Sequence, residues 1–138
     1  RYTYPETLGT PVNYHEVRGH LRYGTVRIVN DQLCDKILGG QEVTSDEDVQ
    51  IRKAVFDAIM LVSRISSRTP NDLHYFFWNI FRNCCRRDET HCNECGQHPS
   101  FPERYQLLSP TKCIFAASCK SVGSAVKLTD HVVDTNLY

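Results

Sequence analysis

The chain has 138 residues, 41% of them hydrophobic and 23% charged, with a formal net charge of zero. That length fits one domain able to bury its own core, and the composition excludes a disordered or low-complexity chain. Zero net charge excludes a bulk attraction to nucleic acid, so any such surface must come from local clusters of Arg and Lys. No apolar run approaches the roughly 20 residues that span a bilayer. The opening RYTYPETLGTPVNY has no apolar segment of a secretory signal, and a start at Arg1 points to a processed form or a piece of something longer.

In chain order, NYHEVRGHLRY places Tyr14, Val17 and Leu21 at helical spacing, a short signal. TVRIVNDQLCDKILGG reads as extended chain turning into a helix capped by Asn30 or Asp31 and ended by Gly39 and Gly40. Thr44 with Glu47 makes a capping box. Behind it, Ile51, Val55, Ala58, Ile59, Val62 and Ile65 form an apolar stripe. SSRTPND breaks that helix, and Asn71 or Asp72 is expected to cap the next, through LHYFFWNIFRNCC. Its Leu73, Phe76, Phe77, Ile80, Phe81 and Cys84 share one broad face that reads as core. From Cys85 to Cys119 the pattern is irregular and holds Pro99, Pro102 and Pro110, half of the six prolines. So long an irregular stretch in a compact domain needs something to tie it down. VKLTDHVVDTNLY reads as extended. The expectation is a single all-α domain over residues 1–138, a helical bundle with a cysteine-held metal-cluster loop at its C-terminal side. Residues 41–84 form helices, 85–119 the cluster loop and 120–138 a tail.

Of the seven cysteines, Cys34 stands alone and six lie between positions 84 and 119. An odd count without a secretory signal argues against a disulfide scaffold and for metal in a reducing, intracellular compartment rather than a secreted protein. Cys85, Cys92 and Cys95 are spaced C-x6-C-x2-C, and beyond Gly96–Lys112 the pair Cys113 and Cys119 is spaced C-x5-C. Cys84 and Cys34 read as buried apolar residues. Zinc would be satisfied by Cys85, Cys92, Cys95 and Cys113, with His91 or His98 as substitutes.

This ordered set at a helix end resembles the C-x6-C-x2-C-x5-C loop of the endonuclease III and adenine-glycosylase branch of the helix–hairpin–helix DNA glycosylases. Arg82 stands three residues before Cys85, as an Arg does in that family; Asp72 and His74 fall where such helices carry an acid and a histidine, and CIFAASC resembles the closing C-x5-C. The resemblance implies a [4Fe-4S] cluster on four of Cys85, Cys92, Cys95, Cys113 and Cys119. The insertion at 96–112 sets Cys95 against Cys113 for one ligand place. Residues 1–40 would stand for a degenerate helix–hairpin–helix, without the G-x-G turn that grips a phosphate. No Lys precedes Lys36, which excludes the family's Schiff-base chemistry. Asp31, 54 residues before Cys85, falls where the family has its catalytic carboxylate, although a helix-capping role is the other reading. Arg82, Arg86, Arg87 and Lys112 form the expected nucleic-acid face, diluted by Asp88 and Glu89. The functional expectation is an iron–sulfur, nucleic-acid-associated domain with catalysis lost, or a monofunctional glycosylase if active, placed in nucleus or mitochondrion if the source is eukaryotic. Two alternatives stand beside it. One is a structural subunit of a larger, RNA-containing assembly that meets other protein subunits through the inserted loop. The other is a zinc-stabilised interaction module.

Overall fold

The computed structural model describes residues 11–97, 103–106 and 111–134. Among them the fold is all-α: α1 (Tyr14–Tyr23), α2 (Asp31–Leu38), α3 (Ser45–Ser66), α4 (Pro70–Cys84) and the short α5 (Glu103–Gln106), with a 3-10 turn at Cys95–Gln97. The described residues contain no sheet, only two isolated bridges, Glu42 with Val132 and Cys85 with Thr90. Pro99, Pro102, Pro110 and His98 lie outside the described residues.

Helix α3 starts where its capping box places it. The Thr44 hydroxyl accepts from Glu47 N at 3.2 Å, and the Glu47 carboxylate accepts from Thr44 N at 2.8 Å. Its stripe buries Ile51, Val55 and Ile59, with Ala58 and Val62 half-covered. Ile65, expected in that stripe, is 77% exposed, because nothing packs against the last turn before Ser67 enters the left-handed region (φ 55°). Helix α4 begins earlier than Asn71 or Asp72. Thr69 is the cap, accepting from Asp72 N at 3.1 Å, and Pro70 takes the first helical position, where its missing N–H costs nothing. Leu73, Phe77, Ile80, Phe81 and Cys84 are buried on the expected face, with Phe76 half-buried beside them.

The short opening signal becomes the most enclosed helix among the described residues. Residues Glu16 to Arg22 of α1 are all buried, wedged against both α3 and α4. Val17 and Leu21 join the apolar core, but Glu16, Arg18, His20 and Arg22 are buried with them at 3% exposure or less. Gly19 permits the close approach, since a Cβ there would overlap the Phe81 ring. Helix α1 ends on Gly24 at φ 96°, whose N–H donates to His20 O at 3.0 Å.

The tail returns across the bundle. Val43 N donates to Val132 O at 2.8 Å, and the buried His131 contacts Asp48 of α3 at 2.5 Å. Among the described helices, none is long and apolar enough to cross a membrane.

Candidate metal centre

The cysteine region begins where α4 stops. Cys85 N closes the helix onto Phe81 O at 3.1 Å, and His91 N returns to Cys84 O at 2.9 Å, so residues 86–90 form a tight excursion above the helix end. Cys113 N donates to Cys92 O at 2.8 Å, and Gly96 N donates to Thr111 O at 3.2 Å. These two bonds close the 96–112 insertion at its base, so the chain leaves and rejoins the cysteine frame at one place. Phe115 then seats the C-x5-C turn in the aromatic core. Its ring lies 5.0 Å from Tyr23, 5.6 Å from Phe81 and 6.0 Å from both Phe76 and Phe77.

Six cysteines lie in this region. Cys84 and Cys95, both at 1% exposure or less, are paired as a disulfide with Cα atoms 5.0 Å apart. Cys113 brings its sulfur within 4.8 Å of both, and with that pair reduced the three form a group that can hold a metal ion. Cys84 is therefore not merely a buried apolar residue. Cys34, expected to be buried, is half-exposed on α2, away from the group.

Cys85, Cys92, Cys113 and Cys119 carry free thiols. Burial, joined by the neighbouring Cys92, Cys85 and Cys119 and opposed by a bond from Phe115 N, pushes the Cys113 thiol up to about 11. Burial likewise raises Cys85, with Arg22 opposing and Cys119 adding to the rise. Cys85 and Cys113 thus stand close enough to other sulfurs to feel their charge. In an apolar setting the Cys85 and Cys113 sulfurs need a cation before they will ionise, which a metal ion would supply.

The ordering residues come from α1. Arg22 donates to Leu128 O (2.6 Å), Arg86 O (2.5 Å), Arg87 O (3.0 Å) and Cys85 Sγ (3.5 Å). Its own carbonyl accepts from Ser121 Oγ at 2.8 Å and Cys119 Sγ at 3.5 Å. One turn earlier, Arg18 donates to Cys85 O at 2.7 Å and to Asp130 at 2.6 Å. Burial works to raise the Asp130 carboxyl, but hydrogen bonds from Arg18 and Arg87 hold it below the usual carboxylate range. No carboxylate among the described residues pairs with Arg22, so the loop carbonyls and the Cys85 sulfur are what receive this buried cation. Helical spacing of Arg18 and Arg22 in EVRGHLRY was the signal available for these two residues.

The expected nucleic-acid residues divide. Arg86 pairs with Glu89 at 3.4 Å and Arg87 with the buried Asp130, so both charges are engaged within the chain. Lys112 is exposed, and exposed Arg82 lies over the Trp78 ring at 4.8 Å. Asp31 is exposed at the first position of α2, where Asn30 is the cap, accepting from Leu33 N at 3.0 Å. A carboxylate there complements the helix dipole. Asp72 bonds the Thr69 hydroxyl at 2.8 Å, and His74 Nδ1 meets Glu16 at 3.0 Å. Comparison of the chain with family models, curated proteins and solved structures gives no match.

Proposed function

We propose that the chain is a metal-stabilised helical domain carrying a [4Fe-4S] cluster on Cys85, Cys92, Cys113 and Cys119, in the manner of the cluster loop of endonuclease III-type glycosylases. On this reading its role is nucleic-acid-associated and structural. The observation that carries this reading is that Cys85 and Cys119 both reach Arg22 and Cys113 is tied to Cys92 through their backbones, all four thiols being free while Cys95 is taken by Cys84. On this reading that pairing favours Cys113 over Cys95 for the contested ligand place. A cubane bound by four thiolates is anionic, and Arg22 offers it a buried cation. The distribution of acids supports a structural rather than catalytic role. Asp31 sits exposed at a helix start, and the buried Glu16 is held by α1 and α4 and is pushed by burial up to about 8.

One observation favours a second reading, a single zinc. Tetrahedral thiolates at Zn–S of about 2.3 Å stand roughly 3.8 Å apart, and Cys84, Cys95 and Cys113 fall within 4.8 Å of one another. Anaerobic purification followed by visible spectroscopy and iron, sulfide and zinc analysis separates the two. The cluster reading expects a brown protein with roughly four irons per chain. That colour should be lost on Cys119→Ser and kept on Cys95→Ser. Colourless protein with one zinc, lost on Cys95→Ser and kept on Cys119→Ser, would replace it with the zinc reading.

A further inference from the structure

Helix α4 has a second stripe, facing away from the core. Tyr75, Trp78 and Arg82 follow one another at three- and four-residue steps, and Trp78 is the chain's single tryptophan. Tyr75 is 49% exposed, and Trp78 is half-exposed beneath the Arg82 guanidinium at 4.8 Å. Helix α1 continues the surface. His15 presents its ring edge-on to Trp78 at 6.5 Å, and Tyr14, 46% exposed, lies against His15 at 4.1 Å. Four flat groups, Tyr14, His15, Trp78 and Arg82, thus form one continuous row across the α1–α4 seam.

The charges around the row leave it cationic. Burial, with Arg18 and Arg82 beside it, depresses His15 to about 4, so at neutral pH it is an uncharged ring. Glu16 is withdrawn into the interior, and Asp130 is bridged by Arg18 and Arg87. Among the described residues Arg82 makes no ion pair. Part-exposed rings covered by a guanidinium that makes no ion pair are what a single-stranded nucleic acid can use, since an unstacked base can replace the guanidinium on the ring and the backbone supplies its anion. A duplex hides those faces within its own stack.

We infer that the Tyr14–His15–Trp78–Arg82 row is a stacking platform for single-stranded nucleic acid, with Arg82 moving from the indole to a phosphate as a base takes its place. The inference rests on the nucleic-acid part of the proposed function and is independent of the metal. Tyr75, one turn along α4, supplies the next ring.

The single tryptophan makes the test direct. The full chain is titrated with a single-stranded uridine RNA of about 12 nucleotides and with a matched duplex, reading Trp78 fluorescence together with anisotropy of end-labelled RNA. The platform expects quenching by the single strand and none by the duplex. In the anisotropy channel Trp78→Ala should weaken binding about 5- to 150-fold, the equivalent of one stacked base. Arg82→Ala should lower the salt slope by about 0.7. Circular dichroism checks that both variants remain helical, and Tyr75→Ala, at an exposed position, gives a second reading of stacking. RNA binding that leaves Trp78 fluorescence and the Arg82→Ala slope unchanged would overturn the platform while leaving nucleic-acid association intact. No binding of either RNA, nor of the matching single-stranded and duplex DNA, would overturn both.

Discussion

Replacing Arg22 by Met keeps the length and much of the packing of the side chain and removes its fork of donors. Three carbonyls, of Arg86, Arg87 and Leu128, then lose a partner at 2.5–3.0 Å, and the Cys85 sulfur loses its nearest cation. A buried acceptor left unsatisfied costs about 1–3 kcal/mol. Arg86 and Arg87 lie at the exposed edge, where water can reach their carbonyls, so the low end applies to them. The total comes to about 3 kcal/mol, which for a chain of this size lowers Tm by on the order of 10 °C. Denaturant and thermal unfolding of metal-free protein measure the hydrogen-bond part alone. Arg22→Lys divides the cause further. An ammonium keeps the charge, but cannot span acceptors on both the 85–87 loop and the tail at Leu128. It should therefore recover well under half of the loss. A loss below about 1 kcal/mol for Arg22→Met, or full recovery by Arg22→Lys, would refute the claim that the guanidinium fork organises the loop.

Stability should also depend on pH through α1. Burial raises Glu16 from its ordinary 4.5 to about 8. Its contribution is therefore complete below about 4.5 and is lost as pH rises to about 8, at up to about 1.4 kcal/mol per pH unit. Glu16→Gln should flatten that decline in denaturant midpoints. His20, depressed by burial to about 4, acts oppositely: its contribution is present above 6.5 and is lost as pH falls through 4, a decline that His20→Gln should reduce. Asp130→Asn should cost about 3–5 kcal/mol, since it leaves the buried Arg18 without its anion, as urea unfolding can measure. Gly19→Ala drives a methyl into the Phe81 ring and should cost about 1–3 kcal/mol by the same measurement.

What the sequence disclosed about the fold follows the range of the interactions involved. The cap of α3 is a bond between residues three apart, Thr44 and Glu47, and the core face of α4 is a periodicity within fifteen residues; both are legible locally. The cap of α4 was local too. There the Thr69–Pro70 pair was the stronger signal, and Asn71 and Asp72 drew attention only because they are good capping residues in general. Ile65 followed the stripe's period but found no neighbour, which periodicity cannot foresee. Helix α1 was nearly illegible. Its enclosed residues are mostly polar, and their partners stand 58 residues away for Glu16 and 112 away for Arg18.

The candidate site shows the same division. That cysteines gather between positions 84 and 119 is a matter of composition, whereas the pairing of Cys84 with Cys95 depends on how residues 86–94 fold back over the helix end. That path is set by Arg22, itself more than sixty residues earlier in the chain. A loop with no regular ladder of its own cannot satisfy its carbonyls internally, and a neutral donor would serve them at the expense of leaving thiolates uncompensated. A buried arginine answers both needs. It caps the loop's carbonyls as a hydrogen-bond donor, and it requires an anion that no carboxylate among the described residues provides. Helix α1 is therefore polar where a core helix is expected to be apolar because its inner face packs against loop carbonyls and cysteine sulfurs that need donors.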